Sequence, residues 1–142
     1  MPQELETYDS KKVLLIVGGS YITGFQDGTN ISVDRNADSW NFSPNVGGGG
    51  TRSKTNNTSG RITFTLSQTS SSNFILSTIQ QLDEKSNAGL VPVLIEDLNG
   101  RSIHSCESAW VVKPPAAEYG MESSGRQWIL ETDNLNHFSG GN

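Results

Sequence analysis

At 142 residues, 33% hydrophobic and with a formal net charge of −5, the chain has the length of one domain and only a thin core. Its acidic balance argues against tight nucleic-acid binding, which needs clustered Lys and Arg, and its single cysteine, Cys106, excludes an intramolecular disulfide. No apolar run approaches the roughly 18 residues of a membrane helix, so no membrane anchor is expected. The start, MPQELETYDSKK, has no apolar targeting region, and maturation in a cytoplasm is the expectation.

In chain order, residues 1–10 are polar and read as a flexible N-terminal tail. KKVLLIVGG predicts a buried strand over Val13–Val17, then a turn at Gly18-Gly19 and a short strand over Tyr21 and Ile22. A turn at Asp27-Gly28 leads into an alternating strand with Ile31 and Val33 on one face. From Asn36 to Gly60 periodicity vanishes. This span reads as a long inter-strand loop, with only Trp40, Phe42 and Val46 as larger apolar side chains. RITFTLSQ (61–68) is the cleanest strand, with Ile62, Phe64 and Leu66 facing a core and Thr63, Thr65 and Ser67 facing water or a lumen.

Residues 71–86 form the one convincing helix. A serine at 71–73 would cap it, Ile75, Leu76, Ile79 and Leu82 would be its buried stripe, Lys85 would sit in the last turn, and Gly89 would stop it. LVPVLIED (90–97) reads as a strand whose Pro92 suggests an edge or a strand start. A hairpin with Asn-Gly at its tip, a return strand over 102–113 and a last strand over 126–132 follow. The polar C-terminal segment offers Phe138 as an anchor. Strands, one helix, then strands predict a mainly β fold, a β-sandwich or barrel with one flanking α-helix, as a single domain over 1–142.

Catalytic and ligand-binding patterns fail on inspection. Lys54 follows Ser53 rather than the glycine a phosphate-binding loop requires, and a strand follows instead of a helix. DRNADS at Asp34 begins like a calcium loop, but Ser39 stands at the glycine position and Asn45 where glutamate is needed. His104 and Cys106, two apart on one strand, suggest a nucleophile pair with no third orienting group. Trp40, Trp110 and Trp128 would suit a sugar platform, yet tryptophans more often fill cores and interfaces. No catalytic, metal or cofactor site is expected.

Four stretches carry a resemblance: VGGSYITGFQDGTNISVDRN (17–36), RSKTNNTSGRITFTLSQTSSSN (52–73), VPVLIEDLNG (91–100) and WILETDNLNHFSGGN (128–142). In this order and spacing the chain resembles the small tail tube proteins of contractile-tailed bacteriophages, over nearly its whole length. The resemblance implies a sandwich or barrel with one helix, shared with the type VI secretion tube protein. It implies hexameric rings stacked into a tube, with DNA and a tape measure protein in the lumen. It also implies a sheath outside, with baseplate and tail-terminator proteins at the ends. The protein would reside in the virion tail and assemble in the host bacterial cytoplasm.

Within that frame, residues 36–60 are expected to form an arm that reaches a neighbouring subunit. Trp40 and Phe42 would anchor it, and Arg52 and Lys54 would pair with acids there. A mobile surface loop is the plainer reading. Up to Arg61 six acids balance six bases, whereas from Asp83 to Asp133 nine acids face four bases. Glu107, Glu118, Glu122 and Glu131 are therefore candidate lumen acids that would let DNA slide without sticking. Outward-facing acids meeting a sheath fit the same residues. The main rival is a monomeric β-sandwich binding module, an adhesin or baseplate component, with the tryptophans as its platform.

Overall fold

The computed structural model describes residues 13–26, 31–98, 100–122 and 124–140. The expected N-terminal tail and the turn at Asp27-Gly28 lie outside these residues. In chain order the elements are β1 (Val13–Val17), β2 (Ser20–Tyr21), β3 (Ser32–Arg35), β4 (Trp40–Pro44), β5 (Gly50–Lys54), β6 (Gly60–Ser67), α1 (Ser72–Ser86), β7 (Val91–Asp97), β8 (Ile103–Val111), β9 (Gly125–Thr132) and β10 (Asn136–Phe138).

The main sheet runs β2-β1-β7-β8-β9-β6-β3, and every pairing is antiparallel. It does not close into a barrel. Its two halves fold over one another instead, so that Ile31 and Val33 at one end lie across a pocket from Val13 and Ile95 near the other. The result is a β-sandwich with one helix.

Strand β8 is the seam. Its C-terminal half pairs with β9 (Ala109↔Thr132 to Val111↔Leu130), and its N-terminal half pairs with β10 (Ile103↔Phe138 to Ser105↔Asn136). Asp133–Leu135 leaves the ladder between the two. Leu135 is fully buried there: its N–H donates to Thr58 O (2.8 Å), and its carbonyl accepts from Arg35 Nη2 (2.8 Å). Leu135 is thus the anchor of the C-terminal segment. Phe138, expected in that role, is 59% exposed.

The period-two pattern of β6 survives in the fold. Ile62, Phe64 and Leu66 are buried, and Ile62 and Phe64 stand opposite Leu130 and Trp128 of β9. Full burial of such side chains stabilises by about 1.5–3 kcal/mol each. Trp128 satisfies its indole by donating from Nε1 to Asn73 Oδ1 (2.9 Å), which fastens α1 to the sheet.

Four local expectations need correction in whole or in part. Of the two readings of Pro92, the strand start holds, since it is the second residue of β7, and the edge does not, because β7 lies between β1 and β8. It is tolerated because the ladder shifts register between Val91 and Val93, where a missing N–H costs nothing. The buried line of α1 is Ser72, Leu76 and Gln80, while Leu82 is 49% exposed. Gln80 goes inward because its amide donates to Glu84 (Oε1, 2.5 Å). Finally, Ser71 makes no side-chain cap; Ser70 Oγ accepts from Ser72 N (3.2 Å) instead. At the other end Asn87, not Gly89, takes the left-handed conformation (φ 55°) and donates to Asp83 O.

Candidate assembly surfaces

Residues 36–60 are not a structureless loop. Within them β4 and β5 pair in register, from Trp40↔Lys54 to Pro44↔Gly50, as a separate two-stranded ribbon. Ser39 and Thr55 close its base (Thr55 N to Ser39 O, 2.8 Å), and Asn36 bonds Ser59 below them (N to O, 3.0 Å). At the tip Asn45 N donates to Gly49 O (3.1 Å), and Gly48 (φ 88°) and Gly49 (φ 70°) adopt conformations costly for other residues. The ribbon leaves no periodicity in the sequence because no residue in either strand is buried. Cross-strand bonds hold it together, with no core beneath.

The register puts the four expected arm residues on one face. Trp40 opposes Lys54 and Phe42 opposes Arg52, and alternation places Trp40 with Phe42 and Arg52 with Lys54. The Arg52 guanidinium lies 3.8 Å from the Trp40 ring centroid, a cation–π contact. The Phe42 ring lies across Gly50, where an added Cβ would come within 2.4 Å of it. Asn41, Ser43, Thr51 and Ser53 form the opposite, polar face. Trp40 is 45% and Phe42 67% exposed, so the aromatic and cationic face is displayed rather than packed. Among the described residues Arg52 and Lys54 form no salt bridge. The sequence signal was present: apolar and cationic residues two apart, on either side of a glycine run.

The candidate acids scatter. Glu131 on β9 is ion-paired to Arg61 on β6, directly opposite it, with Arg61 Nε donating at 3.1 Å. It lies on the outer face of the sheet with Thr63, Thr65 and Ser67, so much of its charge is balanced. Glu107 is exposed on β8, and Glu118 and Glu122 are exposed on the connection between β8 and β9. That connection is tied back by Arg126, whose Nη1 donates to Ser124 Oγ (3.0 Å) while its guanidinium stands 5.6 Å from the Tyr119 ring centroid.

Cys106 and His104 share a strand face but do not make a reactive pair. Cys106 is buried opposite Val93, and burial pushes its thiol pKa up, away from thiolate. The ring beside His104 is His137, on β10. The tryptophans do not form a platform either, since Trp128 is 1% exposed in the core and Trp40 is on the ribbon. Among the described residues no three His, Cys, Asp or Glu side chains group to hold a metal, and no helix is long and apolar enough to cross a membrane.

No protein-family model matches the chain. Over 152 aligned positions it is 28% identical to structural protein ORF10 of Pseudomonas phage KPP10, covering 100% of this chain and 87% of that protein. Its fold is similar to that of the tube-terminating cap of the anti-feeding prophage (TM-score 0.58, 11% identical, 96% of this chain and 93% of that one). It is also similar to a chain of the sheath/tube terminator of an extracellular contractile injection system (TM-score 0.61, 12% identical, 95% and 99%). A chain of the sheath–tube complex of such a system gives a TM-score of 0.56 at 13% identity, covering 93% of both chains. End to end, the chain has the fold of components of contractile injection systems and a sequence similar to that of a phage structural protein.

Proposed function

We propose that this chain is a structural protein of a phage contractile tail that assembles as stacked hexameric rings into the inner tube, the conduit for DNA ejection. The observation that carries the proposal is the ribbon. It sets two aromatic rings and two cations on one displayed face, on an otherwise acidic protein. Such a face suits a docking site of apolar surface ringed by carboxylates, and another copy of this acidic chain supplies carboxylates. Arg52 and Lys54 pair with them, and Trp40 and Phe42 bury there. Head-to-tail contacts of this kind are heterologous and build open filaments. A sheath covers the outside, terminator and baseplate proteins close the ends, and tape measure protein and DNA fill the lumen without sequence-specific binding. The hydroxyl-rich outer face of β6, with Glu107, Glu118, Glu122 and Glu131, is the proposed lumen side. The protein belongs in the virion tail and assembles in the host cytoplasm. No catalytic role is assigned to it.

A second reading is a terminator ring that caps the tube, favoured by the likeness to two terminator or cap chains. Electron microscopy of the purified, concentrated protein, with a light-scattering mass, separates the two. Hollow tubes support the tube reading, single rings that do not stack support the terminator, and monomers at every concentration contradict both.

A further inference from the structure

His104 and His137 are a directly opposed cross-strand pair between β8 and β10, with ring centroids 4.3 Å apart at 67°. They line a pocket of about 310 Å³ whose other walls include Val13, Ile31, Val33 and Ile95. His104 Nδ1 is buried and has no hydrogen-bond partner among the described residues. His137 is exposed and meets Ser139 Oγ through Nε2 (3.3 Å). Strand β10 is three residues long and pairs with β8 alone.

We propose that this histidine pair makes β10 an acid-released strap, which unpairs from β8 at mildly acidic pH while the rest of the sandwich stays folded. The contact is built for neutral rings. A proton on His104 places a cation on a partly buried ring beside Val13, Ile31, Val33 and Ile95, and protons on both rings set like charges directly opposite across a ladder. One carboxylate among the lining residues opposes this in part. Val13 of β1, Ile31 just before β3, Val33 of β3 and Ile95 of β7 are apolar, and Ser102 and Ser139 are uncharged. Arg35, at the end of β3, does not line the pocket and is committed to Leu135 O. Cys106, next along the β8 face, is an uncharged thiol. Asp97 of β7 is the one carboxylate lining the pocket, and it has interactions of its own.

Burial first, and the charge of His137 second, hold His104 below its ordinary imidazole range. The paired strap therefore binds a proton more weakly than the released one. Its stability is complete above the ordinary imidazole pKa of roughly 6.5 and is lost as pH falls below it toward the lowered value. Release bares the edge of β8 at 103–105, and an unpaired edge accepts another strand. The inference does not depend on the tube reading.

The test is amide hydrogen exchange on the full chain from about pH 8 to about pH 5, corrected for the intrinsic pH dependence of exchange, in the range where imidazoles titrate. Protection of 103–105 and 136–138 should fall several-fold relative to 62–66 and 128–130. In His137→Gln, an exposed position, the part of that selective loss due to like charge should disappear, and in His104→Gln/His137→Gln all of it should. Three results would overturn the proposal: no selective loss in the wild type, equal loss in His137→Gln, or a loss spread evenly over β6 and β9.

Discussion

The sandwich and the ribbon hold their shapes by different means. In the sandwich, alternating side chains such as Ile62, Phe64 and Leu66 are nearly inaccessible to solvent, and the Trp128 indole is both packed and hydrogen-bonded. In the ribbon every residue of both strands is exposed, and shape comes from ladder bonds, a glycine turn and one cation–π contact. Isolated two-stranded hairpins are marginal in water. A chain that displays Trp40 and Phe42 on such a scaffold gains little by it as a monomer. The contrast is the reason for proposing that the ribbon is an arm, whose aromatic face would be buried against a partner.

The comparison is broken most severely from the core side. Trp128→Ala should cost about 3–5 kcal/mol, because it opens a cavity and strands Asn73 Oδ1. Urea unfolding measures it, and a loss below about 1 kcal/mol would mean that the core relaxes around the gap. Leu135→Ala should follow at about 2–5 kcal/mol, since Leu135 is fully buried where the chain passes from β9 to β10.

On the ribbon the order of effects inverts. Trp40→Ala or Phe42→Ala should change unfolding free energy by no more than about 0.5–1 kcal/mol, within the range of surface substitutions and of an exposed cation–π contact. The same variants should sharply reduce assembly, as read by sedimentation. Arg52→Glu should weaken assembly as well, and more at low salt than at high salt, because the lost attraction is screened. The smallest effect is expected at the Arg61–Glu131 pair. It is partly exposed, and Glu131→Gln should cost no more than about 1 kcal/mol by thermal or urea unfolding.

The sandwich was legible because burial imprints a period. The alternation of 61–68, the apolar run VLLIV and the helical stretch at 71–86 each carry it, and the elements appear within a few residues of their expected places. Where inward positions are polar, the imprint fades. Gln80 and Ser72 face inward through hydrogen bonds, so the helix's buried line was misplaced toward Leu82. Leu135 looked unremarkable in a polar tail because its burial depends on bonds to Thr58 and Arg35, remote in sequence. The ribbon left no burial signal at all, although its four arm residues were legible as chemistry. The His104–His137 contact depends on β10 joining β8 in the register β9 uses farther along, which no local pattern encodes.

The central claim is that the ribbon is an assembly arm. Its most direct test replaces residues 40–54 with Asn-Gly, which the adjacent Ser39 and Thr55 at the ribbon's base can accept. Wild type and variant are then compared by electron microscopy and by urea unfolding. The account predicts rings or tubes for the wild type, and for the variant a monomer whose unfolding free energy lies within about 1 kcal/mol of the wild type, as for a tolerated change in a surface connection. A variant that still builds normal tubes contradicts the account, as does one that fails to fold.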